Sequence, residues 1–254
     1  MSNIALSVQH LNKSFGGVAA TQDVSMDFPE GSLTAIIGPN GAGKTTFFNL
    51  ISGALKPDSG KVLLGQDDIT QLSSAEIVSK GIGRAFQVAK LFKTLTVEES
   101  LRAALMSPAG KSASLGQHFP LAQTRERADE TMELLGLTAK AKSVTGNLSH
   151  GDQKLMDIAL ALAMKPKVLL LDEPIAGMGP EERTKMIETV YRLWQKGGLT
   201  LIFIEHDMDI VFRIAQNVNV LCYGKLLAQG TPDQIRNNPA VIEAYLGVAH
   251  GEVA

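Results

Sequence analysis

The sequence predicts an α/β protein with a parallel-sheet core, an N-terminal antiparallel β lobe and an inserted helical lobe. Three observations support this prediction. Short apolar runs bracket a helical pattern in the second half of the chain, the N-terminal residues alternate apolar with polar positions, and few strand signals occur between about residues 97 and 165.

The parallel core is predicted from a strand–helix–strand pattern. Three short, largely apolar runs are typical of buried strands: residues 33–37, 168–171 and 199–204. Residues 180–196, between the last two, place Met186, Val190 and Leu193 at helical spacing. Short connections between these elements favour a βαβ unit, in which the two strands are parallel.

The flanking lobes follow from different patterns. Residues 5–10, 24–28 and 61–64 have strand-like character, with a turn signal at 29–31, which predicts a small antiparallel sheet. Residues 97–165 are predicted to form the helical lobe, and residues 107–120 within it to form a surface loop.

Composition limits the classes of function. The chain has 254 residues, 44% of them hydrophobic, and a net charge of -2, which suits a large core and disfavours a nucleic-acid coat or a polybasic membrane anchor. The N-terminal residues show no signal-peptide pattern, and no apolar run approaches the roughly 20 residues that cross a bilayer. We therefore expect a soluble chain whose membrane role, if any, requires a partner.

Residues 38–45, GPNGAGKT, match the phosphate-loop pattern G-x-x-x-x-G-K-[ST] between a strand and a helix. Glycines let backbone N–H groups surround phosphate oxygens, Lys44 would reach the β- and γ-phosphates, and Thr45 would bind Mg²⁺. The predicted phosphate-binding residues are Gly38, Pro39, Asn40, Gly41, Ala42, Gly43, Lys44, Thr45 and Thr46. GTP is disfavoured, because the nearest string to the guanine motif N-K-x-D, at residues 12–15, lacks the Asp.

Polar residues at predicted strand ends form a second candidate group. Asp172 and Glu173 follow an apolar strand, so Asp172 could bind Mg²⁺ and Glu173 could polarise an attacking water. His206 follows another strand and could contact the γ-phosphate or the water, and Gln87 could reach Mg²⁺ or the water. Taken alone, each of these residues would more often have a structural or surface role, and the phosphate loop upstream is what favours the functional interpretation of the two carboxylates.

Taken as a set and in chain order, these motifs resemble those of the ATP-binding cassette (ABC) ATPases, and the resemblance covers nearly the whole chain. The motifs are GPNGAGKTT, Gln87, LSHGDQ (148–153), VLLLDEP (168–174) and His206. A closer resemblance is to the ATPase subunits of branched-chain amino acid importers, in particular to the larger of their two ATPase types. It is carried by residues 13–20, 84–87, 205–208, 230–235 and 238–247. The resemblance implies a P-loop NTPase (RecA-like) core, and a single nucleotide-binding domain over residues 1–254.

The resemblance also implies residue roles. Phe15 would stack on adenine beside Val18, and Gln87 would bind Mg²⁺ and sense the membrane subunit. Asp172 would bind the metal. In the same way, Glu173 would be the catalytic base and His206 the switch histidine.

Ser149 and Gly151 would belong to the signature motif, which binds the γ-phosphate held by a second ATPase subunit, so that a head-to-tail dimer encloses two ATP molecules. A helix N-terminus with small residues suits that task, and Ser149 is also predicted to cap the helix 153–164. His150 and Asp152 replace the usual Gly and Gln, as is normal in this subgroup. Gly179 replaces an Asp or Asn that normally helps to couple the two sites.

The implied partners are a second ATPase subunit, identical or not, two polytopic permease subunits and, indirectly, an extracytoplasmic solute-binding protein, with no nucleic acid. The implied location is the cytoplasmic face of the inner membrane, as a peripheral subunit. Alternatives left open are an ABC ATPase outside transport, and uptake of urea, amides or aromatic acids. A P-loop metabolite kinase would leave Ser149 and Gly151 unexplained.

Overall fold

The computed structural model describes residues 3–106, 122–196 and 198–251, which form two β-sheets and nine α-helices. The first sheet is antiparallel, in the order β2-β1-β4-β5. Its strands are β1 Ile4–Phe15, β2 Val18–Pro29, β4 Ser59–Leu64 and β5 Asp67–Asp68. This is the predicted antiparallel lobe. β1 and β2 extend beyond the prediction because both faces are exposed near their hairpin, which removes the alternation there.

The second sheet has the order β10-β9-β3-β8-β7-β6. Its strands are β3 Leu33–Ile37, β6 Ile82–Ala85, β7 Val168–Asp172, β8 Thr200–Ile204, β9 Asn217–Cys222 and β10 Lys225–Gly230. All pairs are parallel except β9 with β10 at the edge. The predicted parallel core is confirmed, and its three predicted strands, β3, β8 and β7, lie at the centre.

Helices connect and cover these strands. They are α1 Lys44–Ile51, α2 Ser74–Lys80, α3 Val97–Met106, α4 Ala122–Leu135, α5 His150–Ala163, α6 Pro180–Gln195, α7 Met208–Ile214, α8 Pro232–Arg236 and α9 Pro239–Gly251. The predicted helical lobe contains α3, α4, α5 and two short 3-10 helices. The predicted loop at 107–120 lies outside the described residues. None of the helices in the described part of the chain is long and apolar enough to span a membrane.

Two apolar clusters flank the parallel sheet. Leu33, Ala35 and Ile37 of β3 join the cluster that includes α3, α4, α5 and α6, whereas Ile36 joins the cluster that includes α1 and the antiparallel sheet. This division follows from the strand period of two, which sends successive side chains to opposite faces. Because both faces are buried, the central strands are predominantly apolar, and even their polar residues Thr34, Thr200 and Asp172 are buried.

Candidate functional site

The candidate site lies where the parallel strands end. The phosphate loop follows β3, Gln87 follows β6, Asp172 ends β7, and His206 follows β8. These four strands are neighbours in the order β3-β8-β7-β6 and point the same way, so their carboxyl ends meet at one edge. Ligands in open α/β sheets bind at this edge.

Two glycines of the phosphate loop are required by close backbone packing. A Cβ on Gly38 would lie 2.1 Å from the Leu221 carbonyl oxygen, and one on Gly43 would lie 2.2 Å from the Ala20 carbonyl oxygen. Their φ angles, +151° and +98°, also favour glycine. The loop therefore keeps its shape only with glycine at both positions.

Lys44, at the start of α1, is buried and points back into the loop. Its Nζ donates hydrogen bonds to the carbonyl oxygens of Gly38 at 2.7 Å and Pro39 at 2.9 Å. Burial lowers the pKa of Lys44, and the charges of Glu173 and Asp172 partly offset this effect. The lysine is thus held by its own loop, near two carboxylates.

Glu173 is bound by the other two predicted catalytic residues. Gln87 Nε2 donates to Glu173 Oε2 at 2.7 Å, and His206 Nε2 lies 2.9 Å from Glu173 Oε1. Glu173 has φ of +49°, a conformation that costs energy for a non-glycine residue and is concentrated at functional sites. The structure therefore brings Gln87, Glu173 and His206 into one cluster.

Asp172 is buried and paired with Arg84, a residue to which the sequence assigned no role. Arg84 Nη2 donates to Asp172 Oδ2 at 2.9 Å, and Arg84 Nη1 bonds Asn49 and Ser52. Arg84 takes one of the two carboxylate oxygens. Carboxylate, hydroxyl and amide oxygens, which Asp172, Thr45 and Gln87 carry, are donors of the kind that Mg²⁺ prefers.

Three more buried charged residues were also missed: Lys154, Asp157 and Glu205. Glu205 accepts hydrogen bonds from the backbone N–H groups of Ile175 and His206, and burial raises the pKa of its carboxyl to about 7. The available signal was Asp157, which interrupts the apolar run 155–163 of α5, together with Lys154 at the start of that run. Charged residues are almost never fully buried without partners.

The signature segment lies at the start of α5. Ser149 caps the helix by accepting from the Asp152 N–H at 3.2 Å, and its hydroxyl donates to Asp152 Oδ2 at 2.7 Å. Lys140 forms an ion pair with the same carboxylate. Asp152 therefore orients the Ser149 hydroxyl. A Cβ on buried Gly151 would lie 3.4 Å from Glu182 of α6.

Phe15 and Val18 flank the β1–β2 hairpin, and both are exposed. Asp58 accepts from Lys13 Nζ and from the Ser14 N–H, each at 2.7 Å, which anchors the strand leading to Phe15. The close approach of Ala20 in β2 to Gly43 joins this hairpin to the phosphate loop. An exposed aromatic ring is thus supported beside the loop.

The sequence is similar to those of known proteins. Residues 21–176 match the family model described as ABC transporter, and residues 225–251 match the one described as branched-chain amino acid ATP-binding cassette transporter. The chain is 39% identical to the high-affinity branched-chain amino acid transport ATP-binding protein LivG of Escherichia coli K12, over 98% of this chain and 100% of LivG.

Solved structures of ATP-binding cassettes have the same fold as this chain. The ADP conformation of an ATP-binding cassette of an ABC transporter matches with a TM-score of 0.84 and 33% identity, over 96% of this chain and 99% of that one. A dimeric, post-hydrolysis cassette bound to ADP and Pi matches with a TM-score of 0.77 and 25% identity, over 89% and 98%. The chain belongs to the ABC transporter family, in the subgroup of branched-chain amino acid ATP-binding cassette proteins.

Proposed function

We propose that this chain is the ATP-hydrolysing subunit of an importer for branched-chain amino acids, and that it works as a dimer around two ATP molecules. The observation that carries the proposal is the Glu173 carboxylate, held on one oxygen by Gln87 and on the other by His206, beside buried Lys44. The similarity to LivG supports the branched-chain amino acid assignment.

ATP binding is assigned to the phosphate loop and the hairpin. Backbone N–H groups of residues 38–46 would surround the phosphates, and Lys44 Nζ would move from the Gly38 and Pro39 carbonyls to the β- and γ-phosphates. Phe15 would stack on the adenine beside Val18. Glycine at position 38 keeps the backbone close enough for these contacts.

Mg²⁺ would be held by Thr45, Gln87 and Asp172 together with phosphate oxygens. The bound ion would neutralise part of the phosphate charge. Arg84 fixes the Asp172 carboxylate and balances its charge before any ligand binds, so the side chain is already oriented. An oriented ligand loses less entropy on binding the ion.

Glu173 is assigned the role of general base. It would accept the proton of the water that attacks the γ-phosphorus, while His206 and Gln87 keep its two oxygens aimed at that water. Glu173 adopts a left-handed backbone conformation directly after β7. The side chain of Glu173 therefore leaves the backbone in a different direction from that of Asp172. One carboxylate thus serves the metal and the next serves the water.

Ser149 and Gly151 are assigned to the γ-phosphate held by the second ATPase subunit. The relative that is dimeric with ADP and Pi supports a dimer. The subunit would act with two polytopic permease subunits, fed by an extracytoplasmic solute-binding protein, at the cytoplasmic face of the inner membrane. Exposed Val88 and Phe92, next to Gln87, suit contact with the permeases.

Uptake measurements test the transport assignment. Cells that lack this gene should lose most high-affinity uptake of labelled leucine, and the wild-type gene should restore it whereas Glu173→Gln should not. Uptake of labelled urea and phenylalanine provides the comparison for the alternative cargoes. Unchanged uptake of all three solutes, with ATPase activity present in the purified chain, would favour an ABC ATPase outside transport.

A further inference from the structure

Helix α5 carries three polar residues on one face, His150, Lys154 and Asp157, which we name the α5 polar stripe. They occupy positions i, i+4 and i+7, so they lie above one another on the helix. The same helix is capped by Ser149, the residue proposed to contact the ATP of the second subunit. Each residue of the stripe contacts backbone of its own subunit.

Lys154 binds the backbone of the catalytic glutamate. Its Nζ donates to the Glu173 carbonyl oxygen at 3.0 Å, and the lysine is only 3% exposed. This contact fixes the carbonyl relative to α5, because breaking it would leave the buried ammonium without its hydrogen-bond acceptor and leave the carbonyl with only the Ala176 N–H. Glu173 is therefore tied to α5 as well as to Gln87 and His206.

Asp157 binds the backbone on both sides of Gln87. Its Oδ2 accepts from the Phe86 N–H at 2.6 Å and its Oδ1 accepts from the Lys90 N–H at 3.2 Å. Asp157 is 4% exposed, so its charge depends on these partners and on Lys154. The segment that carries Gln87 is thus clamped to the same helix.

His150 completes the stripe near the helix start. Its Nε2 lies 3.1 Å from the Ala176 carbonyl oxygen, in the loop between Glu173 and α6. That loop ends at Gly179, which offers no side chain for contacts across a dimer. The backbone of the loop is instead held by the signature helix of its own subunit.

These contacts connect α5, Glu173 and the Gln87 segment to one another. α5 holds Glu173 through Lys154 and holds the Gln87 segment through Asp157, and Gln87 and Glu173 bond each other at 2.7 Å. A shift of α5 would move both neighbours of the attacking water together. We propose that Lys154 and Asp157 are positioning residues that transmit engagement of Ser149 with the second subunit's ATP to Glu173 and Gln87 of their own site. This inference rests on the proposed ATPase function.

The test compares purified full-length variants. Lys154→Met and Asp157→Asn should lower the turnover of saturating Mg·ATP by roughly 100-fold, the cost of misplacing catalytic groups, while the Kd for ATP in EDTA changes less than threefold. Lys154→Arg, which keeps a buried cation donor, should recover most of the turnover. Glu98→Gln is the matched control, since Glu98 is a buried, ion-paired carboxylate in α3 that touches none of these loops.

Amide hydrogen exchange gives a second reading that does not depend on turnover. In the Glu173→Gln background, ATP should slow exchange at Phe86 and Lys90 when Asp157 is present, and this slowing should disappear with Asp157→Asn. Turnover in Lys154→Met and Asp157→Asn equal to that of Glu98→Gln, or ATP-induced slowing that survives Asp157→Asn, would overturn the inference. Absence of turnover in the wild-type chain would instead count against the proposed function.

Discussion

The phosphate loop and the signature segment, the two regions that we assign to phosphate binding, differ in how many of the residues of their site they contain. In the loop, buried Lys44 is held by two carbonyl oxygens of the loop itself, and two carboxylates lie near its charge. In the signature segment, exposed Ser149 is oriented by Asp152, which Lys140 neutralises. In the first, one chain supplies both the lysine and the carboxylates, whereas the second is an exposed helix start whose phosphate we propose to come from another subunit. This difference motivates the proposal that hydrolysis needs two subunits while ATP binding needs one.

The largest expected effect separates chemistry from binding. Glu173→Gln keeps the shape of the side chain but removes the base, so turnover should fall about 1,000-fold, within the range for loss of general base catalysis. The Kd for ATP should change little, because the loop residues are intact. A turnover assay with a parallel binding titration checks this, and turnover above a tenth of wild type would remove Glu173 from the role of base.

Ser149→Arg separates the two regions directly. A bulky side chain at the start of α5 should exclude the second subunit's γ-phosphate and lower turnover about 100-fold, similar to the loss of a transition-state donor. The full-length monomer should still bind ATP like wild type, whereas Lys44→Ala should bind it poorly. Weakened monomer binding in Ser149→Arg would show that the signature segment serves its own chain.

A smaller effect is expected on ATP affinity when the proposed stacking of Phe15 on adenine is removed. Phe15→Ala should raise the Kd for ATP about tenfold, because base–aromatic stacking contributes about 1–3 kcal/mol, and turnover at saturation should be retained. Phe92→Ala, which also removes an exposed phenylalanine, is the control for lost surface area. Equal ATP affinity in the two variants would contradict the stacking role.

The smallest effect is a pH dependence at the end of β8. The pKa of Glu205 is raised from 4.5 to about 7, so the folded chain binds a proton that the unfolded chain has released between those values. Its stabilising contribution is therefore present below pH 4.5 and lost as pH rises through 7. Between pH 5 and pH 8 the unfolding free energy of the wild-type chain should therefore fall. In Glu205→Gln this fall should be smaller by about 2 kcal/mol.

Urea unfolding of wild type and Glu205→Gln at the two pH values measures this change. The difference between the two proteins isolates Glu205 from other titrating groups. Identical pH dependence in both proteins would show that the Glu205 carboxyl is ionised throughout this range.

The phosphate loop could be predicted from the sequence because its residues are contiguous and its geometry is local. The strand ends were predictable for a similar reason, since continuous apolar runs point to the parallel sheet edge. The α5 polar stripe was not predictable, because the partners of His150, Lys154 and Asp157 lie 26, 19 and 71 residues away. The role of Arg84 was hidden likewise, because Asp172 is 88 residues from it.

The central claim, that each ATP is shared by two chains, is tested most directly by mixing two inactive variants. Ser149→Arg keeps the phosphate loop, and Lys44→Ala keeps the signature segment, so neither homodimer contains a complete site. A mixed dimer contains one complete site, and we expect co-expressed, co-purified chains to recover at least about a tenth of wild-type turnover. Turnover no higher than that of the separate variants would contradict the account.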